Sequence, residues 1–250
     1  SQHQACDLRR RTRPGKTLQA CEAAELPACI ICPLSLVEQW AEFLHEQYPN
    51  DIVNIAAYGS TLERAAWLLS PAHWYIINHE LLRKSAHYTY HAHNMMEAKK
   101  SEKIRREHMP PPPVNTLIVD EFHHFRTYEA AMSNGLRQYA KRTPRVYGLT
   151  ATPIYKDVGD LWHQLHVLDH ERWSSYTAFL YRHAITYDYG WGTKIARIRS
   201  KDALERDIAP YMLARTYKQV GLFLPDRIDK QIVLRPDADF MKRYLLLRDQ

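Results

Sequence analysis

The sequence predicts an α/β fold built on a mostly parallel sheet. Three observations lead there. Short apolar runs such as Ile30-Ile31, Ile76-Ile77 and Leu117-Ile118-Val119 lack polar alternation, as strands covered on both faces do. Segments with apolar residues at helical spacing lie between them. The runs end abruptly in small, polar or charged residues, and in open parallel sheets ligands gather outside the carboxyl ends of the strands.

Composition sets the outer limits. The 250 residues are enough for one or two domains with a real core, and the hydrophobic share of 45% is that of an ordinary globular protein. No apolar run approaches the roughly 20 residues of a membrane span, and no signal peptide opens the sequence, so no membrane partner is expected. The formal charge of +6 mildly favours a polyanionic partner. Cys6, Cys21, Cys29 and Cys32 are too few for a disulfide scaffold, which points to a reducing, intracellular setting.

Taken in order, residues 1–13 are a short basic start. Gly15-Lys16-Thr17 has the form of the end of a phosphate-binding loop, with a helix opening over 17–24. A helix N-terminus offers free N–H groups to a phosphate, a lysine there reaches the β and γ phosphates, and the hydroxyl ligates Mg²⁺. The full pattern would place glycine at position 10, where this sequence has Arg10, so the motif is incomplete.

A strand is predicted over 28–32. Cys29 and Cys32 have metal-ligand spacing, but residues three apart on a strand face opposite sides and cannot share one ion. A helix over 36–44 follows, with Ser35 as its N-cap. A strand over 52–58, a helix over 61–69 and a strand over 74–78 entering His79 come next. Residues 84–113 change character, with tyrosines, His91 and His93, a lysine- and arginine-rich stretch, and Pro110 to Pro113. They read as an inserted helical excursion that ends in a stiff linker.

Asp120 and Glu121 follow the run Leu117 to Val119. A carboxylate pair at such a strand end can hold Mg²⁺ through one member and activate a water through the other. A solvated acidic turn is the plain alternative. A helix over 129–141 and a strand over 145–149 precede Thr150-Ala151-Thr152-Pro153, whose hydroxyls can hydrogen-bond across to the neighbouring strand. From 157 the pattern turns mainly helical, over 159–168, 176–183 and 201–209. His163 and His166 share one helix face and read as core or surface residues rather than ligands. The aromatic stretch Tyr187 to Gly192 could stack on bases or simply pack. A strand over 228–234 and a helix from 237 close the sequence.

The ordered set of Gly15-Lys-Thr-Leu-Gln-Ala20, Pro33-Leu-Ser-Leu-Val-Glu-Gln-Trp40, Ile76-Ile-Asn-His-Glu-Leu-Leu82, Asp120-Glu-Phe-His123 and Leu149-Thr-Ala-Thr-Pro153 resembles the successive motifs of superfamily-two (DExH) helicases, closest to the Swi/Snf-type DNA translocases. Ile208 to Thr216 and Leu224 to Arg227 resemble the segment that bridges the two lobes of such motors. The resemblance implies a RecA-like three-layer sandwich of the P-loop NTPase type with a helical extension. Residues 1–156 would form the lobe, with the insertion at about 84–113. Residues 157–227 would form the extension and bridge, and 228–250 the start of a second, truncated lobe.

It also implies roles. ATP and Mg²⁺ would be the cofactors. Arg13, Pro14, Gly15, Lys16 and Thr17 would form the phosphate loop, and Thr17 and Asp120 would hold the metal. Lys16, Asp120 and Glu121 would be catalytic, with Glu121 orienting and deprotonating the attacking water. His123, Thr150 and Thr152 would couple nucleotide state to grip on nucleic acid, expected to be double-stranded DNA. Pro33, Leu34, Ser35, Asn78 and His79 would lie on the nucleic-acid side. An isolated lobe would be a poor ATP hydrolase, since the family works between two lobes.

The family has glycine at the position of Arg13 and an acidic residue at that of Arg10, and its upstream adenine-reading glutamine segment is not recognisable here. These departures sustain a second reading, a non-catalytic nucleic-acid-binding module with a decayed nucleotide site. An unrelated phosphate-loop enzyme such as a small-molecule kinase is disfavoured by the motif order.

Overall fold

The computed structural model of the chain describes residues 15–83, 112–128, 130–190 and 192–214, and near the end 240–241 and 244–245. Expectations for Arg10, Arg13, Pro14, most of the insertion and the strand over 228–234 lie outside these residues. Packing groups the chain into two compact units, residues 1–211 and 212–250. The first carries everything that follows. Of the second, residues 212–214 have no regular structure and residues 240–241 and 244–245 are helical.

Five parallel strands form one sheet: β1 (Ala28–Cys32), β2 (Val53–Ile55), β3 (Trp74–Asn78), β4 (Thr116–Val119) and β5 (Arg145–Gly148), in spatial order β2-β3-β1-β4-β5. β1, at the centre, pairs with β3 from Ala28↔Trp74 to Cys32↔Asn78 and with β4 from Ala28↔Thr116 to Ile31↔Val119. The chain leaves β1 to one side for β2 and β3, then returns to the other side for β4 and β5. This reversal beside β1 is the switch point at which open α/β sheets make their crevice.

Side chains alternate between the faces with the period of two that strands impose. Ile30, Ile76 and Ile118 face α1 (Lys16–Glu22) and α2 (Val37–Gln47), in a core that includes Ala20, Trp40 and Leu44. Ile31, Ile77 and Val119 face the other way, in a core with Leu68 of α3 (Thr61–Leu69) and Leu136 of α4 (Ala131–Ala140). The result is a RecA-like three-layer sandwich. The β1–β2 connection runs over the first face through α2, and the β2–β3 and β4–β5 connections run over the second through α3 and α4, as right-handed crossovers require. Cys29 belongs to one core and Cys32 to the other. Burial pushes the Cys32 thiol up to about 12, with the Asp120 carboxylate adding to it, so this cysteine is a small apolar packing group.

α3 matches its predicted bounds because its cap is strong. The Ser60 side chain accepts from the Glu63 N–H, and the Glu63 carboxylate accepts from the Ser60 N–H at 2.6 Å. Ser35 does not cap α2. Residues 34–36 form a single 3₁₀ turn, and Leu36 stands at the cap position without a side-chain bond. The chain turns tightly on leaving β1, so the helix starts later than its apolar spacing implied.

Beyond 157 lie α5 (Gly159–Leu168), α6 (Tyr176–His183) and α7 (Lys201–Ile208). Between α6 and α7 there is also an antiparallel hairpin, β6 (Ala184–Asp188) and β7 (Thr193–Ile198), in place of a purely helical extension. Apart from buried Ala184 and half-buried Ile185 and Ile195 its residues are exposed, so it has no sustained apolar alternation to betray it, and Gly190 at φ 88° supplies the turn. α5 is tied to the end of β4 through His163, whose Nδ1–H donates to the Phe125 carbonyl while Nε2 accepts from Arg137 at 3.2 Å. Burial lowers the pKa of this ring to about 4, which keeps it neutral and fits that tautomer. His163 is therefore a core histidine with both nitrogens satisfied. His166, on the same helix face, donates from Nδ1 to the Trp173 carbonyl at 2.9 Å.

Candidate functional site

The site is the carboxyl edge of the sheet around β1, β4 and β5. The ladder continues one residue past β4, with the Asp120 N–H on the Ile31 carbonyl at 2.8 Å, so the Asp120 backbone is held as rigidly as the strand. Its side chain is held as well. Oδ1 accepts from the Glu121 N–H at 2.9 Å, and Oδ2 accepts from the indole N–H of Trp40, also at 2.9 Å. Trp40 is 3% exposed, anchored in the α2 face of the core. A carboxylate has about four lone-pair sites, so each oxygen keeps one for a cation.

The chain then reverses sharply. Glu121 has φ 48° and ψ 50°, the only non-glycine residue with positive φ among the described residues. This conformation costs a side-chain-bearing residue about 1–2 kcal/mol. Neighbouring bonds hold it there. The Glu121 carbonyl accepts from His124 N–H at 2.9 Å, and Phe122 N–H donates to the Leu149 carbonyl at 2.8 Å. The Phe122 ring fills the space above Gly148, where a Cβ would stand 2.0 Å from the ring. Gly148 is therefore what lets β5 run close under the acidic turn.

Glu121 is directed along the edge towards β5. Its Oε2 lies 3.2 Å from Nδ1 of His123, which also lies 3.1 Å from the Thr150 hydroxyl. That hydroxyl accepts from the Thr152 N–H at 3.1 Å. Glu121, His123, Thr150 and Thr152 thus form one polar chain from the end of β4 to the loop after β5. Burial lowers the His123 pKa, with His124 adding to the effect and Glu121 opposing it.

On the other side of β1, His79 is buried and its Nε2–H donates to the Asp120 carbonyl at 3.0 Å. The carbonyl can only accept, which assigns the proton to Nε2. Burial lowers the pKa of this ring to about 4, so it stays neutral at pH 7. Asn78 is buried beside it, while Leu34 and Ser35 are exposed and Pro33 half-buried. Of the five residues expected on the nucleic-acid side, Leu34 and Ser35 present open surface. Asn78 and His79 shape the edge from within.

Lys16 and Thr17 open α1, with Gly15 at the cap position; Lys16 is exposed and Thr17 half-buried. The far end of α1 is tied to the starts of β4 and β5. Thr116 Oγ1 accepts from Glu25 N–H and donates to the Glu25 carbonyl, the Tyr147 hydroxyl donates to the Ala23 carbonyl, and Arg145 pairs with Glu25. The 7 residues of α1 span about 10 Å, close to the length of a four-residue strand. A helix of that length running back along the sheet brings its start, with Lys16 and Thr17, towards the edge that carries Asp120.

The donor set suits a metal carried in by phosphates. Among the described residues no group of three or more His, Cys, Asp or Glu side chains converges on a metal position. Mg²⁺ needs no such cage, since it is commonly held by one or two carboxylates, substrate phosphates and water. Asp120, prepositioned by two donors and with lone pairs to spare, fits that role.

The carboxylates, His123, Thr150 and Thr152, singled out in the sequence, are brought together at this edge, and two supports went unseen. The Trp40 side chain is invisible as a partner of Asp120 because 80 residues separate them. Gly148 fell within the predicted strand over 145–149 and drew no reading of its own, although a glycine inside a strand can mark a close approach.

A family model described as SNF2-related domain matches residues 7–249. The human DNA excision repair protein ERCC-6 is 22% identical over 227 residues, covering 87% of this chain and 14% of that protein. The Arabidopsis thaliana CHD3-type chromatin-remodeling factor PICKLE is 22% identical over 245 residues, covering 92% of this chain and 17% of the relative. The chain thus spans less than a fifth of the length of either. A solved Sulfolobus solfataricus SWI2/SNF2 ATPase core in complex with dsDNA aligns with a TM-score of 0.59 at 21% identity, over 83% of this chain and 39% of that one, a likeness of fold.

Proposed function

This chain belongs to the SNF2-related domain family, and we propose that it is the first motor lobe of a DNA-dependent ATPase, which binds MgATP at the carboxyl edge of its sheet and couples hydrolysis to movement on duplex DNA. The observation that carries the reading is the constrained acidic turn: Asp120 fixed by Trp40 and by its own turn, and Glu121 held in a left-handed conformation beside His123.

In this reading Lys16 neutralises the β and γ phosphates, and Thr17 and Asp120 hold Mg²⁺. The bound metal supplies charge neutralisation of the phosphates in the transition state. Glu121 orients the attacking water and takes its proton. His123, joined to Glu121 and Thr150, carries the state of the site to the loop after β5. Leu34 and Ser35 face the DNA. Phosphoryl transfer asks mainly for positioning and charge, which suits an edge built of constrained side chains. A second RecA-like lobe closing on this edge completes the hydrolytic site.

The test is MgATP hydrolysis by the full-length gene product with and without duplex DNA. The expected result is hydrolysis at least several-fold faster with DNA. Hydrolysis at the same rate in both conditions would remove the DNA-dependent motor reading.

A further inference from the structure

The β6–β7 hairpin takes no part in the site described above, and its composition is distinctive. Across residues 181–199 the described side chains include Tyr181, Tyr187 and Tyr189, which are 82%, 51% and 47% exposed. Among them stand Lys194, Arg197 and Arg199, all exposed. The one carboxylate of this stretch, Asp188, is occupied with the Gly190 N–H at 2.8 Å, closing the turn. Tyr187 pairs directly with Lys194 across the strands, so both lie on one face. The Lys194 ammonium lies 4.6 Å from the centre of the Tyr189 ring, and the Arg199 guanidinium lies 5.9 Å from that of Tyr181.

Exposed tyrosines interleaved with cations are what a single-stranded nucleic acid uses: aromatic faces for the bases and positive charges for the backbone. Tyr187 and Tyr189 are two residues apart, so their Cα atoms are separated by up to about 7 Å. Neighbouring bases in a helical stack rise by only about 3.4 Å per strand. A duplex offers no free base faces along its length, so only an unpaired strand can lay bases on both rings. We propose that this hairpin is a docking surface for an unpaired nucleic-acid strand, with Tyr187 and Tyr189 stacking on bases and Lys194 and Arg197 pairing with the phosphates. The proposal does not depend on the nucleotide site.

Fluorescence anisotropy on the full-length gene product tests it, using an oligothymidylate of about 12 nucleotides, an abasic strand of equal length and charge, and a duplex. The wild type is expected to bind the oligothymidylate about tenfold or more tighter than the abasic strand. Tyr187→Ala with Tyr189→Ala should abolish that preference and leave duplex affinity unchanged. Lys194→Ala with Arg197→Ala should reduce the slope of log affinity against log salt by about 1.4. These side chains are exposed, so melting temperatures are expected to stay near the wild-type value. No binding of the oligothymidylate, equal binding of the abasic strand, or an unchanged preference in the tyrosine variant would overturn the proposal. Loss of duplex binding with oligothymidylate binding intact would instead count against the motor reading and leave this one standing.

Discussion

Glu121→Gln is expected to lower DNA-stimulated ATP hydrolysis by the full-length gene product by about 10²- to 10⁴-fold, the range a positioned general base contributes. Nucleotide binding should be retained. Glutamine keeps the size and the acceptor oxygen of the side chain, so the contact towards His123, now 3.2 Å from Oε2, can survive. What it loses is the negative charge and the capacity to take a proton. The backbone at 121 is set by the Asp120 carboxylate and by the Phe122 bond to Leu149, neither of which involves the replaced group. Steady-state hydrolysis and nucleotide affinity, measured on the same preparation, separate the two effects. A variant that hydrolyses ATP within a few-fold of the wild type would take Glu121 out of the chemistry and reduce the acidic turn to a solvated strand end.

Phe125→Ala should cost about 3–5 kcal/mol of stability, read as a lower urea midpoint at unchanged slope. Phe125 is fully buried and closes the 3₁₀ turn that follows Glu121. Its ring meets His79 edge-on at 4.8 Å between centres and Phe122 at 6.4 Å. The cavity would open directly beneath the acidic turn, between the sheet and α4. The neighbours that would have to collapse into it, His79 and Phe122, are each held by a backbone bond, so little relaxation is available and the upper part of the range is expected. A loss below about 1 kcal/mol, the size of an ordinary substitution, would mean that this turn is not packed as described.

Much of the fold could be read from the residues because its signals are local. The runs at 28–32, 74–77 and 117–119 lack charged or alternating polar residues, as a strand covered on both faces requires. The opposite placement of Cys29 and Cys32 follows from strand geometry alone. The hairpin at 184–198 was hidden because strands exposed over most of their length leave little burial pattern to read. Ser35 misled because a capping residue type stands near an apolar periodicity, while the chain leaving β1 first makes a 3₁₀ turn. In the site, Asp120 and Glu121 stood out by residue type and position. The Trp40 bond, the Gly148 clearance and the His79 contact with the Asp120 carbonyl join residues 80, 26 and 41 positions apart and exist only once β1, β3, β4 and β5 are side by side.

The central claim is that the carboxyl edge of this sheet is a MgATP site, and calorimetric titration of MgATP into the full-length gene product tests it most directly, with Lys16→Ala as the control. Lys16 is exposed at the start of α1, so its removal should leave the fold intact. The account predicts saturable binding by the wild type that is lost in the variant. No binding by the wild type would contradict it and favour a nucleic-acid-binding lobe whose nucleotide site has decayed, while binding indifferent to Lys16 would contradict it by placing the nucleotide away from this edge.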